Sequence, residues 1–112
     1  MADLFVNGRA DGNGVTPVTV AGPPGAGVTR AVRTMTGHNV DVIAHTYILK
    51  RDDGVNQDVL YKVQVDPDGI GILIDQATVR NLIETDVGLT CEQAEVTDTD
   101  ESTFVWDGLD HS

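Results

Sequence analysis

At 112 residues the chain is one domain, and a domain that small has a thin stability margin. Its net charge is −11, with 18 acidic residues against 7 basic ones, which argues against nucleic-acid phosphates and anionic membrane surfaces as partners. One cysteine, Cys91, excludes an internal disulfide and a cysteine-built metal site, and no apolar run is long enough to span a membrane.

The first residues hold a short apolar patch, Leu4-Phe5-Val6, followed by two turn signals, Asn7-Gly8 and Asp11-Gly12-Asn13-Gly14. Two readings stand equal for it: an arm that docks on a neighbour, or an edge strand of the same domain. The organisation adopted here takes 1–14 as a flexible arm, 15–107 as the folded domain and 108–112 as a polar tail. Val15 to Val20 reads as a short strand, and Pro17 suits it to an edge. Ala21 to Gly27, AGPPGAG, is a loop. Val28 to Thr36 is rich in β-branched residues and reads as a strand. In a regular strand Arg30 and Arg33 lie on opposite faces, so one of them pairs with a carboxylate or lies at an interface.

Val40 to Val65 reads as a hairpin around Asp53-Gly54, with a loop of about 4–5 residues or a bulge. Ile43, His45, Tyr47 and Leu49 share one face of its first strand, and Val59, Tyr61, Val63 and Val65 share one face of its second. Asp66-Pro67-Asp68-Gly69 is a strong turn. Ile70 to Ile74 reads as a short buried strand in which Gly71 marks a bulge or a close approach. Asp75 to Glu84 fits a helix or two bent strands. Leu89 to Glu95 is a strand with Leu89, Cys91 and Gln93 on one face, 96–102 is a polar turn, and Thr103 to Trp106 is the closing strand. Short strands with turns every 8–12 residues predict an all-β, single-domain antiparallel sandwich, jelly-roll-like, of about seven or eight strands.

No stretch carries catalytic chemistry. In Gly22 to Thr29, GPPGAGVT, the glycines of a phosphate-binding loop fall in register, but Val28 replaces the lysine and a strand pattern follows instead of a helix. Asp66 to Gly69 starts like a calcium loop, yet Ile70 and Ile72 fill ligand positions and Ala77 stands at the twelfth. Asp98, Asp100 and Glu101 read as a solvated turn. His38, His45 and His111 are scattered, and Ser102 and Ser112 lie in no nucleophile pattern. No catalytic residue, metal site or cofactor is expected.

From Gly27 to about Trp106 the segment order resembles small β-sandwich virion proteins of tailed viruses. Gly27 to Arg33 resembles the first core strand of that family, opening after a Pro/Gly loop. Thr46-Tyr47-Ile48-Leu49-Lys50 and Val59-Leu60-Tyr61-Lys62-Val63 resemble its central pair. Ile83-Glu84-Thr85-Asp86 before Leu89 resembles a turn in which many members carry Gly where Thr85 stands, and Phe104-Val105-Trp106 resembles the closing strand. The resemblance implies a non-enzymatic structural protein localised in the virion. A capsid decoration protein on the outer shell is favoured over a head–tail connector, neck or tail component. A small carbohydrate- or ligand-binding module is the alternative from another class, and a small hydrolase comes last. The expected partners are further copies of the chain, a trimer favoured, and the major capsid or other virion proteins. Leu4, Phe5, Val6, Arg30 and Arg33 are the candidate assembly contacts. The acidity is read as solubility through self-repulsion or as adaptation to high salt, and the second predicts a melting temperature that rises with salt.

Overall fold

The structure is a computed structural model that describes residues 3–75, 82–84, 86–94 and 102–111. It is an all-β sandwich of two antiparallel sheets. Nine strands are assigned among the described residues: β1 (Asp3–Asp11), β2 (Val18–Ala21), β3 (Thr29–His38), β4 (His45–Asp52), β5 (Gln57–Val65), β6 (Ile70–Ile74), β7 (Leu82–Ile83), β8 (Gly88–Gln93) and β9 (Thr103–His111). Sheet one has the order β1-β9-β3-β6, with β7 also on β3; sheet two has the order β2-β8-β4-β5.

With β7 set aside, the pairing is nested: β1 with β9, β2 with β8, β3 with β6, β4 with β5. Successive pairs alternate between the sheets. A long antiparallel ribbon wrapped over itself gives this order, which is the jelly-roll connection. The inward positions of both sheets make one core, which includes Met35, Leu49, Leu73 and Leu89. Tyr47 of sheet two meets Phe104 of sheet one edge to face, with ring centroids 5.2 Å apart. Such a pair locks the sheets in one relative position beyond what area burial alone gives.

The first strand of the hairpin follows its pattern from His45 on, but in the second the face expected of Val59, Tyr61, Val63 and Val65 is split by a bulge, and Val59 is 51% exposed opposite Lys50. Residues 53–56 close the hairpin, and His45, Tyr47 and Leu49 point into the core. The register shifts opposite Leu49 and Lys50, which makes Leu60 the extra residue of a bulge that packs against the core. Ile43 departs from its expected face because it precedes the strand and is exposed. Leu89, Cys91 and Gln93 are buried together on β8 as expected. Pro17 immediately precedes β2, which is an edge strand. The Asp66–Gly69 turn carries the chain from sheet two to sheet one. Gly69 N–H donates to the Asp66 carbonyl at 2.9 Å, Asp68 takes a φ of 56°, and His38 Nε2 lies 3.0 Å from Asp68 Oδ1.

Several boundaries differ from the sequence reading. The segment read as a flexible arm is edge strand β1, paired with β9 from Asp3↔His111 to Asp11↔Thr103, so the second of the two readings describes it. The polar tail is the outer half of β9, the strand between β1 and β3. The folded domain therefore runs from Asp3 to His111 and not from 15 to 107. Asp107 points to solvent between Trp106 and Gly108, which point inward, so the alternation continues past Trp106 in residues too polar or too small to announce it. The strand read over Val28 to Thr36 is longer than expected, because β3 runs on through His38. Ile70 to Ile74 is a strand, but only Leu73 and Ile74 are buried; Ile70 and Ile72 face outward on the β6 edge. The helix-or-strand question at 75–84 and the polar turn at 96–102 fall largely outside the described residues.

Candidate interaction surfaces

The groups that sequence motifs would recruit for chemistry are used to hold the fold. Asn39, Asp41 and His45 are buried at the entry to β4. Asn39 Nδ2 donates to the Ile43 and Val65 carbonyls at 2.8 and 3.0 Å, and its Oδ1 accepts from Asp41 N–H at 3.0 Å. Asp41 Oδ2 in turn lies 2.8 Å from His45 Nε2. This set ties a loop without regular structure to the ends of β4 and β5 and satisfies backbone groups that burial would otherwise strand. Ser102 is buried between Tyr47, whose hydroxyl its own meets in a short hydrogen bond, and Gln93, to whose Oε1 it donates at 3.4 Å. Its carbonyl accepts from Gly12 N–H at 2.6 Å. The serine, just ahead of β9, thereby links β4, β8 and the turn after β1. Burial pushes the Cys91 thiol up to about 12, the opposite of a reactive cysteine.

Among the described residues no group of three or more His, Cys, Asp or Glu is placed to hold a metal ion. The GPPGAGVT stretch is the loop between β2 and β3, so a strand follows it and not the helix N-terminus that cradles phosphate.

The outer faces of the two sheets differ. On β1 an added Cβ at Gly8 would strike the Trp106 ring, and Val6 packs against the core, so Phe5, Asn7 and Arg9 point outward. On β6 an added Cβ at Gly71 would meet Val65 at 2.4 Å, so Gly71 faces inward, a close approach as expected, and Ile70 and Ile72 face outward. The registers then align Phe5 with Leu109 and Ala31 in one row across sheet one, and Arg9 with Val105, Thr36 and Ile72 in another. Phe5 is 81% exposed, Ile70 70%, Ile72 57% and Val105 49%. A groove of about 290 Å³ opens beside them, lined by Thr34, Thr36, Ile72, Ile74 and Asp75. On sheet two the outward positions are mostly polar. Ile48 sits between Lys62 and Glu92, and Lys50 Nζ is 2.6 Å from Glu92 Oε1.

Of the expected assembly contacts, Leu4 and Phe5 are exposed on β1, while Val6 is partly buried against the chain's own core. Arg30 is engaged within the fold. Its Nε and Nη2 donate to the two Asp110 oxygens at 2.7 and 2.9 Å, its Nη1 to the Gly22 carbonyl at 2.9 Å, and its guanidinium lies over the Trp106 ring at 5.4 Å. The Asp110 hydrogen bonds hold its pKa above the usual value. Arg33 is the extra residue of a bulge between Val32 and Thr34. The bulge turns both Val32 and Met35 into the core and removes the simple opposite-face relation expected of the two arginines. Ile70, Ile72 and Val105 were not among the expected contacts. The signal was available for the first two: a glycine between two isoleucines puts the side-chain-free face inward where backbones crowd. No family model matches the chain, and neither a curated protein nor a solved structure matches it.

Proposed function

We propose that this chain is a non-enzymatic structural protein of a tailed-virus particle, a decoration protein that binds the outer shell, with a head–tail connector or tail component as the nearest alternative. The observation that carries the reading is the contrast between the sheets. Sheet one exposes Phe5, Ile70, Ile72 and Val105 on or beside two aligned rows, whereas the outer face of sheet two is mostly polar and carries the paired Lys50 and Glu92, with Val59 of β5, 51% exposed, among its apolar exceptions. Val105, Ile72 and Ile70 adjoin on neighbouring rows, while the Phe5–Leu109–Ala31 row is set apart from them by the polar Asn7–Asp107–Thr34 row; exposed apolar groups of this kind on a small acidic domain mark a place where another protein docks. Burying it recovers about 25 cal/mol for each Å², a modest gain per copy that repetition on a symmetric shell multiplies into firm attachment. The jelly-roll order agrees, since capsid proteins use it; lectins use it too. A sugar-binding role draws little support from the aromatics, because Tyr47 and Trp106 are buried in the core and the exposed Phe5 and Tyr61 lie on different sheets.

The test is loading onto purified undecorated shells. Phe5→Asp and Ile72→Asp place charge on the outward rows without touching the core. Both are expected to keep the wild-type melting temperature and to load at least tenfold more weakly. Lys62→Glu, on the other sheet, is expected to load as the wild type does. If both aspartate variants load normally, sheet one is not the docking face and the reading loses its support.

A further inference from the structure

We propose that Asn13 is a site of spontaneous deamidation, closing onto the Gly14 amide, and that its isoaspartyl product loosens the turn joining the two sheets. The chain has two Asn–Gly steps, at 7–8 and 13–14, and four Asp–Gly steps, at 11–12, 53–54, 68–69 and 107–108. A glycine in the second place leaves its amide open to the preceding side-chain carbonyl, because it carries no Cβ. What separates the six is whether that amide is already donating. Gly12 N–H donates to the Ser102 carbonyl at 2.6 Å, Gly54 N–H to Asp52 Oδ1 at 2.8 Å and Gly69 N–H to the Asp66 carbonyl at 2.9 Å. Hydrogen-bonded pairs alternate along an antiparallel ladder. The Gly12–Ser102 bond therefore makes Gly8↔Trp106 and Val6↔Gly108 bonded pairs, so β9 holds the Gly8 amide and β1 the Gly108 amide.

Gly14 differs from the other five glycines. Its N–H has no acceptor among the described residues. Residues 13–16 form a tight turn in which Thr16 N–H donates to the Asn13 carbonyl at 3.0 Å and Gly14 takes a φ of 60°. The closing bond of such a turn runs between its first carbonyl and its fourth amide, and leaves the second amide unused. The Gly14 carbonyl accepts from Gln93 N–H at 3.1 Å, so Gly14 is tied to β8 through its oxygen and not its nitrogen. Asn13 is exposed, and water reaches its carboxamide. Opening a surface turn held by two hydrogen bonds takes less than opening a ladder, and lets the Asn13 side chain swing over the free amide. The Gly14 nitrogen gives its proton to hydroxide and bonds to Asn13 Cγ. The Cγ–Nδ2 bond breaks, and Nδ2 takes a proton back from water and leaves as ammonia. Water then opens either carbonyl of the succinimide, to aspartate or isoaspartate. Both products add one negative charge to the −11 of the chain. The isoaspartyl link also adds a carbon to the backbone between β1 and β2, where a two-residue loop has no slack.

The experiment is incubation of the folded, full-length protein at mildly alkaline pH, with peptide mapping by mass spectrometry to place each conversion and to separate aspartate from isoaspartate. Asn13 is expected to convert at least tenfold faster than Asn7. In denaturing urea, where the ladder is gone, Asn7 is expected to come within twofold of Asn13. Asn13→Gln is expected to abolish the fast conversion and to keep the wild-type melting temperature. In the isoaspartyl form, separated by ion exchange, amide exchange at Thr16 and Gln93 is expected to quicken at least fivefold. Equal rates at Asn7 and Asn13 in the folded protein overturn the proposal, and so does a tenfold gap that persists in urea, because the fold would then not make the choice. No conversion of Asn13 in the folded chain, over a time that converts it in urea, overturns it as well. Unchanged exchange at Thr16 and Gln93 overturns the claim that the product loosens the turn.

Discussion

The β4–β5 hairpin is closed by residues 53–56, whereas the β1–β9 ribbon is closed by the whole chain, with Asp3 opposite His111. Both are antiparallel ladders with the same hydrogen-bond rules, but their registers come from different sources. In the hairpin the turn sets the register: Asp53 Oδ1 accepts from Val55 and Asn56 N–H at 2.9 and 2.6 Å, and Gly54 takes a φ of 88°. In the ribbon no turn is involved, and packing sets it. Gly8 lies under the Trp106 ring, and Gly108 lies against the Ala31 carbonyl of β3. A fault in the first should stay local, and a fault in the second should reach the core.

The sharpest way to break that comparison is Gly108→Ala. The added Cβ would lie 2.2 Å from the Ala31 carbonyl oxygen, a backbone atom that cannot rotate away. Either β9 separates from β3 or the bulge at Arg33 is lost. Overpacking of this kind costs about 1–3 kcal/mol and occasionally more, and the backbone contact puts this site at the upper end. Chemical denaturation should show a lower midpoint, and amide exchange should quicken along β1, β3 and β9 together. A variant as stable as the wild type would mean that the ribbon is not fixed by this contact.

How much was legible in the sequence follows the same division. The hairpin, the β8 face and the Asp66–Gly69 turn were readable because their signals lie within a few residues of one another. The β9 extension was not, because Asp107-Gly108-Leu109-Asp110-His111 has the composition of a tail. It enters the sheet because Gly108 fits a crowded position and because Asp110 is matched by Arg30, 80 residues away. A pairing of one arginine with a carboxylate was expected, but nothing local named the partner. The bulges at Arg33 and Leu60 each shift the inward phase by one residue, and pattern alone does not reveal them. The docking rows are legible only once the register aligns β1, β9, β3 and β6, which lie far apart in the chain.

Cys91 provides a probe between these extremes. It sits in β8, between β2 and β4, where burial raises its thiol from 9.0 to about 12. In the unfolded chain the thiol ionises near its ordinary value, so between those limits the native state binds one proton more than the unfolded state. Stability should therefore fall as pH rises above about 9, by up to roughly 1.4 kcal/mol for each unit from this group. Cys91→Ala should remove that dependence. At pH 8 alkylation by iodoacetamide should be limited by opening of sheet two. A pH-independent stability between 9 and 12 would mean that Cys91 does not stay protonated in the native state.

The smallest expected effect belongs to the hairpin turn. Gly54 has open space around it, with nothing within 4 Å of an added Cβ, so Gly54→Ala creates no clash. Its penalty is conformational, since an L-residue forced to a φ of 88° loses about 1–2 kcal/mol. Part of that loss is avoidable, because the turn lies at the surface and can relax. The expected change is therefore about 1 kcal/mol, with faster amide exchange confined to residues 52–57 and the β1–β9 ribbon unaffected. The same turn should respond to acid. The backbone hydrogen bonds from Asn56 and Val55 hold the Asp53 carboxyl below its usual 3.8. Its stabilising contribution is thus present above that value and fades as pH falls through the depressed one. Asp53→Asn should flatten this dependence while leaving the β9 amides as protected as before. If Gly54→Ala instead loosens β1 and β9 as far as Gly108→Ala does, the two ribbons are one cooperative unit, and the distinction between a register set by a turn and one set by packing does not hold.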